Sequence, residues 1–348
     1  MGLTNIFKKQ TLNTPSIVSS TSRQSSNPFG LINTYSPNTV VSLPLYKQLR
    51  EAIPIIDAAI YKIVRLIGNF EIKCENKEAE DMMNSFFKNV NISGNEKGLY
   101  SFISSYFENL LTYGTAVGEI VLSNGGYFYG LYNTDLRDVT FKRNKNGFDI
   151  DICDCSGAKI KNEQFVFMNA LNPEPNEICG TSILKGLPFV SSILLKIFNT
   201  IGENWDRVGN IRFAVTYKPQ NDLSDKSFAR ERAEQIANEW SKMQQESGIK
   251  DFIAVGDVDI KVIGADNQIL DSQIPVRQML EQIVAKTGLP PFILGLSWSS
   301  TERMSSQQAD ILTTELESYR RLLEPTVLKI LNTYLRLNGF CDEAYIIW

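Results

Sequence analysis

The residues of this chain that are able to do chemistry are scattered, and their spacing argues against an enzyme. Asp57, Glu119, Asp135, Asp138, Asp257 and Asp259 are the carboxylates that could pair for acid–base work. Asp257 and Asp259 lie beside an expected hairpin and Asp135 in an expected turn, where acids ordinarily serve as solvated turn residues. Histidine is absent. Its absence removes the commonest metal ligand and the only side chain whose unperturbed pKa lies near neutrality, so serine–histidine triads and histidine zinc sites are excluded together. The loop around Trp298 is rich in serine (Ser297, Ser299, Ser300, Ser305, Ser306) and amides (Gln307, Gln308), but no base accompanies it. Its neutral hydroxyls and amides suit the lining of a polar passage, because they would not grip a moving phosphate chain. Five cysteines are present, and Cys153 and Cys155 form a CxC that is too short and isolated for a zinc site. The glycines form neither GxGxxG nor GxxxxGK[ST], which leaves nucleotide chemistry without support. No catalytic residue, metal or cofactor is expected.

The totals describe a folded chain. Its 348 residues are 43% hydrophobic, enough material for more than one compact unit. The 35 basic and 39 acidic residues give a net charge of −4. That excludes a surface built to clamp nucleic acid over its bulk, though not a chain that surrounds DNA. The opening MGLTNIFKKQ has no apolar core of a signal peptide and lacks the myristoylation pattern. Reduced thiols in a cytosolic chain and no membrane partner are the corresponding expectations.

Periodicity places these residues on elements. Residues 1–41 are rich in Ser, Thr, Asn and Gln and read as an arm, with Leu3, Ile6 and Phe7 as an apolar patch suited to anchoring on a neighbour. LYKQLREAIPIIDAAIYKIVRLIG from Ser42 predicts one kinked helix or two helices, broken at Pro54. A short strand at 70–74 and helices at 77–92 and 98–113 follow, the second stopped by Gly114. Residues 115–152 have the pattern of an antiparallel meander with turns at 124–126 and 144–147, and 165–170 adds a strand. The basic cluster Arg137, Lys142, Arg143 and Lys145 reads as a solvent-facing charged turn.

From Pro188 to Asn210 a long helix carries Phe189, Ile193, Leu194, Ile197, Ile201, Trp205 and Val208 on one stripe, with Lys196, Asn199, Glu203 and Arg207 on the polar side. An excursion follows: a strand IRFAVTY, a mixed-charge helix over 226–246 and strands at 251–256 and 258–264. A return helix then ends at Lys286. The helix over 226–246 carries Arg230, Glu234 and Trp240 as candidate interface residues. After the apolar Gly288-Leu289-Pro290-Pro291 run and Gly295, a final helix from 305 to 338 should bend or divide at Pro325.

In this order the features resemble the portal proteins of tailed bacteriophages, the compact group without a large C-terminal crown. The resemblance rests on KIVRLIGN at 62–69, LLTYGTAVGEIVL at 110–122 and NEICGTSIL with KGLPFVSSILLKIFNT at 176–200. It rests above all on IVAKTGLPPFILGLSWSS at 283–300 and LTTELESYRRLLEPTVLKILNTYL at 312–335, while GNIRFAVTYKP at 209–219 matches loosely. It implies an α+β portal fold: an α/β wing, a long-helix stem, and a small α/β clip inserted between the stem helices. The corresponding division is an N-terminal arm (1–41), wing (42–187), stem helix (188–210), clip (211–265) and stem return (266–287). An apolar turn with a channel-facing loop (288–303), a wing helix (304–338) and a short tail (339–348) complete it. Ser297, Trp298, Ser299, Ser300, Thr301, Glu302 and Arg303 would then face the channel.

The resemblance further implies a homo-oligomeric ring of about twelve copies, closed by heterologous contacts. The ring would stand at a capsid vertex of the virion, assembled in the host cytoplasm. Double-stranded DNA would pass through it without sequence specificity. Its implied partners are terminase, major capsid and scaffold proteins, and a head–tail adaptor. The runner-up expectations are a portal-like component of a defective prophage or tail-like particle and, remotely, a soluble hydrolase with a helical insertion.

Overall fold

The structure, a computed structural model, describes residues 43–92, 96–144, 149–160, 162–175, 177–209, 212–217, 258–263, 272–296 and 302–348, with single residues at 228, 231, 234, 235 and 238. For 206–209, 212–217, 258–263, 302, 303 and 305 only the backbone is described. Contacts divide the chain into two compact units, 1–193 with 278–348 and 194–277.

Pro54 settles the start of the first unit. Helix α1 (Leu43–Ala52) ends before it and α2 (Pro54–Leu66) begins on it, with Ile53 extended between them at φ −125° and ψ 95°. A proline disfavours helical backbone in the residue before it and fits the first turn of the helix it opens, so two helices replace one. Strand β1 (Glu71–Lys73) follows. The side chain of Asn76 caps α3 (Lys77–Asn89) by accepting from the backbone N–H groups of Glu78 and Ala79. Helix α4 (Leu99–Tyr113) is the centre of the core: Leu99, Phe102, Tyr106, Phe107, Leu110 and Leu111 are all fully buried.

The strands after α4 are β2 (Thr115–Leu122), β3 (Phe128–Thr134), β4 (Val139–Arg143), β5 (Ile150–Asp154) and β6 (Val166–Ala170). They do not form the single meander expected from the sequence. One sheet has the order β3-β2-β6, and β4 pairs with β5 in a separate hairpin. The reason lies in β2, whose TAVGEIVL is buried along nearly its whole length. A strand covered on both faces is a central strand, and it needs a partner on each edge. Val117 accordingly pairs with Thr134 on one side and Met168 on the other. The β4–β5 hairpin closes over its own small core, where Val139, Ile152 and Ile160 meet Val117 and Val166.

Helix α5 (Leu187–Gly209) leads into the second unit. There β7 (Arg212–Tyr217) pairs antiparallel with β8 (Val258–Ile263), from Arg212 opposite Ile263 to Tyr217 opposite Val258. The first strand of the excursion is thus bonded to its last, and the two ends of the excursion are side by side. Residues 228, 231, 234, 235 and 238 are helical, in line with the expected helix, while the strand expected at 251–256 lies outside the described residues. Helix α6 (Gln273–Thr287) brings the chain back.

In the first unit, α7 (Glu302–Leu337) is one helix of 36 residues with Pro325 inside it. Of the two expected outcomes at Pro325, a bend or a division, the division does not occur. Leu323, Val327, Ile330 and Leu331, on both sides of the proline, are fully buried, and burial of this face outweighs the lost hydrogen bond. The last residues return as β9 (Tyr345–Ile347), paired with β1, and Trp348 packs against Phe70 with Arg320 over its ring. Among the described residues no helix is long and apolar enough to cross a membrane.

Candidate functional site: the junction that carries the long helices

Two of the segments that carry the family resemblance meet in space. LLTYGTAVGEIVL supplies the end of α4 and the start of β2, and CGTSIL supplies the approach to α5. Gly114 ends α4 in the left-handed region at φ 79°, with its N–H on the Leu110 carbonyl. Its own carbonyl accepts from Leu171 N–H at 2.7 Å, and the Leu171 carbonyl accepts from Thr181 N–H at 2.6 Å. Gly180 N–H donates to the Thr115 hydroxyl at 2.9 Å. Ser182, 4% exposed, donates to the Thr112 carbonyl at 2.6 Å and accepts from Leu184 N–H at 2.9 Å. A turn from Leu184 to Leu187 then opens α5. Gly114, Leu171 and Gly180 are so close that a Cβ on Gly180 would lie 2.1 Å from the Gly114 carbonyl oxygen. The junction therefore fixes where the long helix leaves the α4–β2 corner.

Along α5 the expected polar positions Lys196, Asn199 and Glu203 are exposed, and the Arg207 side chain lies outside the described ones. The expected apolar stripe is only partly covered. Leu194 is buried and Ile197 and Ile201 are half-buried, whereas Trp205 is 63% exposed, as is Phe198, which is not on the expected stripe, at 46%. Phe198, Ile201 and Trp205 recur at helical spacing and form an apolar face that this chain leaves open. Phe189, also on the expected stripe, is exposed as well.

The return helix buries Ile283, Val284 and Thr287 at its end. Gly288 then turns the chain at φ 70°, Leu289 is buried, and Pro291 starts a short 3-10 turn (Pro291–Leu294) that Gly295 closes at φ 77°. The Gly-Leu-Pro-Pro run is thus a tight turn, packed near α2. Ser297, Trp298, Ser299, Ser300 and Thr301 lie outside the described residues, and Glu302 and Arg303 form the first turn of α7 rather than a loop. Of the expected interface residues, Glu234 is helical and exposed, and Arg230 and Trp240 lie outside the described residues.

Sequence reasoning missed the group that holds α7 in place. Asn169 on β6 donates through Nδ2 to the Leu322 carbonyl at 2.8 Å. Its Oδ1 accepts from the Thr326 hydroxyl at 2.5 Å and lies 2.8 Å from the hydroxyl of fully buried Tyr106, which is also 3.0 Å from the Ala116 carbonyl. Burial drives the Tyr106 pKa far up, so it stays a neutral hydroxyl. Lys329 donates to the Val166 carbonyl at 2.8 Å, and burial lowers its pKa. Pro325 has no N–H to offer the Arg321 carbonyl, and the Asn169 bond falls on the next carbonyl along the helix, that of Leu322. One signal was available in the sequence: an amide in the otherwise apolar FVFMNA.

Among the described residues, the candidate carboxylates Asp57 and Asp135 are held by cations. Asp57 accepts from Arg50 at 2.8 Å, and the same guanidinium reaches Glu108 at 2.7 Å, Thr112 at 3.0 Å and the Tyr61 ring at 5.2 Å. Asp135 pairs with Arg137, whose hydrogen bonds hold its carboxyl below the usual range. A depressed carboxyl pKa is the opposite of what a general acid requires. Glu119 and Asp138 are buried. Asp257 and the Asp259 side chain lie outside those described. In the basic cluster Lys142 and Arg143 are exposed, Lys142 donating to the Gly157 carbonyl. Lys145 lies outside the described residues.

No family model matches the chain, and no curated protein matches it. Solved structures do. A chain of the virion of a native gene transfer agent particle is similar with a TM-score of 0.60 and 14% identity, over 86% of this chain and 82% of that one. A chain from the neck of the native particle, computed with C12 symmetry, gives 0.56 and 14%, over 86% and 84%. An HK97 family phage portal protein from Corynebacterium diphtheriae gives 0.46 and 9%, over 86% and 94%. The chain therefore shares a mixed α+β fold with the two gene transfer agent chains over 86% of its length.

Proposed function

We propose that this protein is a phage portal protein. It forms an oligomeric ring at a capsid vertex, serves as the channel for DNA packaging and ejection, and docks terminase and head–tail connector proteins. The observation that carries the reading is the fold shared over 86% of the chain with a chain from a particle neck computed with C12 symmetry. The wing is 42–187 with 304–338, the stem 188–210 with 266–287, and the clip 211–265. The channel-facing loop follows Gly288-Leu289-Pro290-Pro291. The ring is a homo-oligomer of about twelve copies in the virion, assembled in the host cytoplasm with major capsid and scaffold proteins, and closed by cyclic heterologous contacts. It is a passive conduit rather than an enzyme, with terminase supplying the work. A net charge of −4 suits a wall past which a polyanion must slide.

The open apolar face of α5 supplies a place for neighbouring copies to pack. Negatively stained particles, made with the capsid and scaffold proteins present, should be rings with a central hole wide enough for duplex DNA. Persistently monomeric particles under those conditions would refute the reading. Replacing Trp205, 63% exposed, by aspartate should abolish rings while leaving the melting temperature unchanged, because a central aromatic anchor typically carries about 2 kcal/mol or more of an interface. Rings that persist in that variant would place the neighbour contact elsewhere.

A second reading, a portal-like component of a defective prophage or tail-like particle, is favoured by one observation: the similar virion and neck chains come from a gene transfer agent particle. Loading of DNA into particles made with this chain separates the two.

A further inference from the structure

The first unit holds a cleft of about 680 Å3 lined by residues of α1, α2, α4 and the Asp135–Arg137 turn, within the range that ordinarily accepts a ligand or a short peptide, roughly 300–1,000 Å3. Its walls combine two chemistries. Pro54, Ala58, Tyr61 and Tyr113 offer apolar and aromatic surface, and Glu51, Asp57, Glu108 and Asp135 offer carboxylates against the cations Lys47, Arg50 and Arg137. One negative charge is in excess. An incoming anion would find Arg50 engaged, because that guanidinium already serves Asp57, Glu108, Thr112 and the Tyr61 ring. An incoming cation would meet the Asp57 and Glu108 side chains, 37% and 26% exposed. The Tyr61 ring beside them is open to solvent as well.

The complementary chemistry lies in the chain itself. Residues 1–42 contain Lys8, Lys9 and Arg23 and no aspartate or glutamate, although the whole chain has 39 acids. Within them, Leu3, Ile6 and Phe7 stand directly before Lys8-Lys9, an apolar patch with a basic end that matches an aromatic cleft with an acidic rim. The connection is also short where it matters. The segment enters α1 at Leu43, one turn before Lys47 on the rim of the cleft. The chain from Lys9 to Leu43 can span roughly 110 Å when extended, so length does not restrict the segment to the cleft of its own copy.

We propose that the Arg50 cleft is the docking site of the protein's own N-terminal segment, Leu3 to Lys9, supplied in cis or by an adjacent copy. The apolar side chains cover Tyr61 and Pro54, and the lysines reach Glu51, Asp57 and Glu108. The proposal stands independently of the ring, because docking in cis needs no second copy.

Zero-length carbodiimide coupling of the full-length protein tests it. Lys8 or Lys9 should become joined to Glu51, Asp57, Glu108 or Asp135, and a mixture of isotopically light and heavy chains shows which copy donates the segment. In parallel, nitration of Tyr61 should be several-fold faster in the Ile6→Asp/Phe7→Asp variant, which keeps every residue that lines the cleft. Cross-links of Lys8 and Lys9 confined to carboxylates outside the cleft, or equal Tyr61 nitration in the two proteins, overturn the proposal.

Discussion

Replacing Gly180 by alanine is expected to be the most damaging single change in this protein. The added Cβ would lie 2.1 Å from the Gly114 carbonyl oxygen, 2.3 Å from Leu171 N and 2.6 Å from Leu171 O. All three are backbone atoms, so no side chain can swing aside. Overpacking relieved by side-chain shifts costs about 1–3 kcal/mol. Here relief requires the end of α4, the end of β6 and the approach to α5 to separate. That separation would break the Leu171–Gly114 bond at 2.7 Å and the Thr181–Leu171 bond at 2.6 Å. A loss of about 5 kcal/mol is expected, at the extreme of single substitutions and comparable with the whole stability of many domains. The measurement is thermal unfolding followed by circular dichroism, with the midpoint lowered by at least about 10 °C or no soluble protein recovered. Gly202 within α5 is the control. A Cβ there meets nothing within 4 Å, and alanine should stabilise the helix by about 0.5–1 kcal/mol. If Gly180→Ala and Gly202→Ala melted alike, the tight junction would be refuted.

The second large effect is expected at Asn169. Leucine there would take the partner from the Leu322 carbonyl and the Thr326 hydroxyl, both in the Pro325 turn of α7, and one partner from Tyr106. Each buried polar group left unpaired costs about 1–3 kcal/mol. Asn169 itself is only half-buried, and Tyr106 keeps the Ala116 carbonyl, so the expected loss is about 3 kcal/mol rather than the full sum. Urea unfolding should show a lower midpoint with an unchanged slope. Adding Thr326→Val should recover part of the loss, because the orphaned hydroxyl is then gone. Strict additivity of the two substitutions would show that the groups do not act as one network.

The two cases show why parts of this chain were legible and others not. Pro54, the Gly114 stop, the α5 and α6 boundaries and the Gly288-Leu289-Pro290-Pro291 turn follow from local backbone rules, which act over a few residues and are written in the sequence. The pairing of β2 with β6 is not local. The apolar character of TAVGEIVL announces a buried strand but leaves its second partner unnamed, since any apolar strand of matching length could fill that edge. Pro325 shows the converse, a local rule outweighed by tertiary burial on both sides of the proline.

The candidate site divides in the same way. Composition alone removed histidine chemistry, the glycine spacing left nucleotide chemistry without support, and the order of helix, small excursion, helix and Pro-broken final helix led to the portal resemblance. Those are statements about which residues exist and how they repeat. Only the tertiary structure brought Gly114, Leu171 and Gly180 into contact, and set Asn169 against the weak turn of α7. Only it assigned Asp57 and Glu108 to one guanidinium and left Phe198 and Trp205 uncovered. Contacts between segments distant in sequence depend on how closely two backbones can approach and on which polar groups are left to pair, and neither is written in the local sequence.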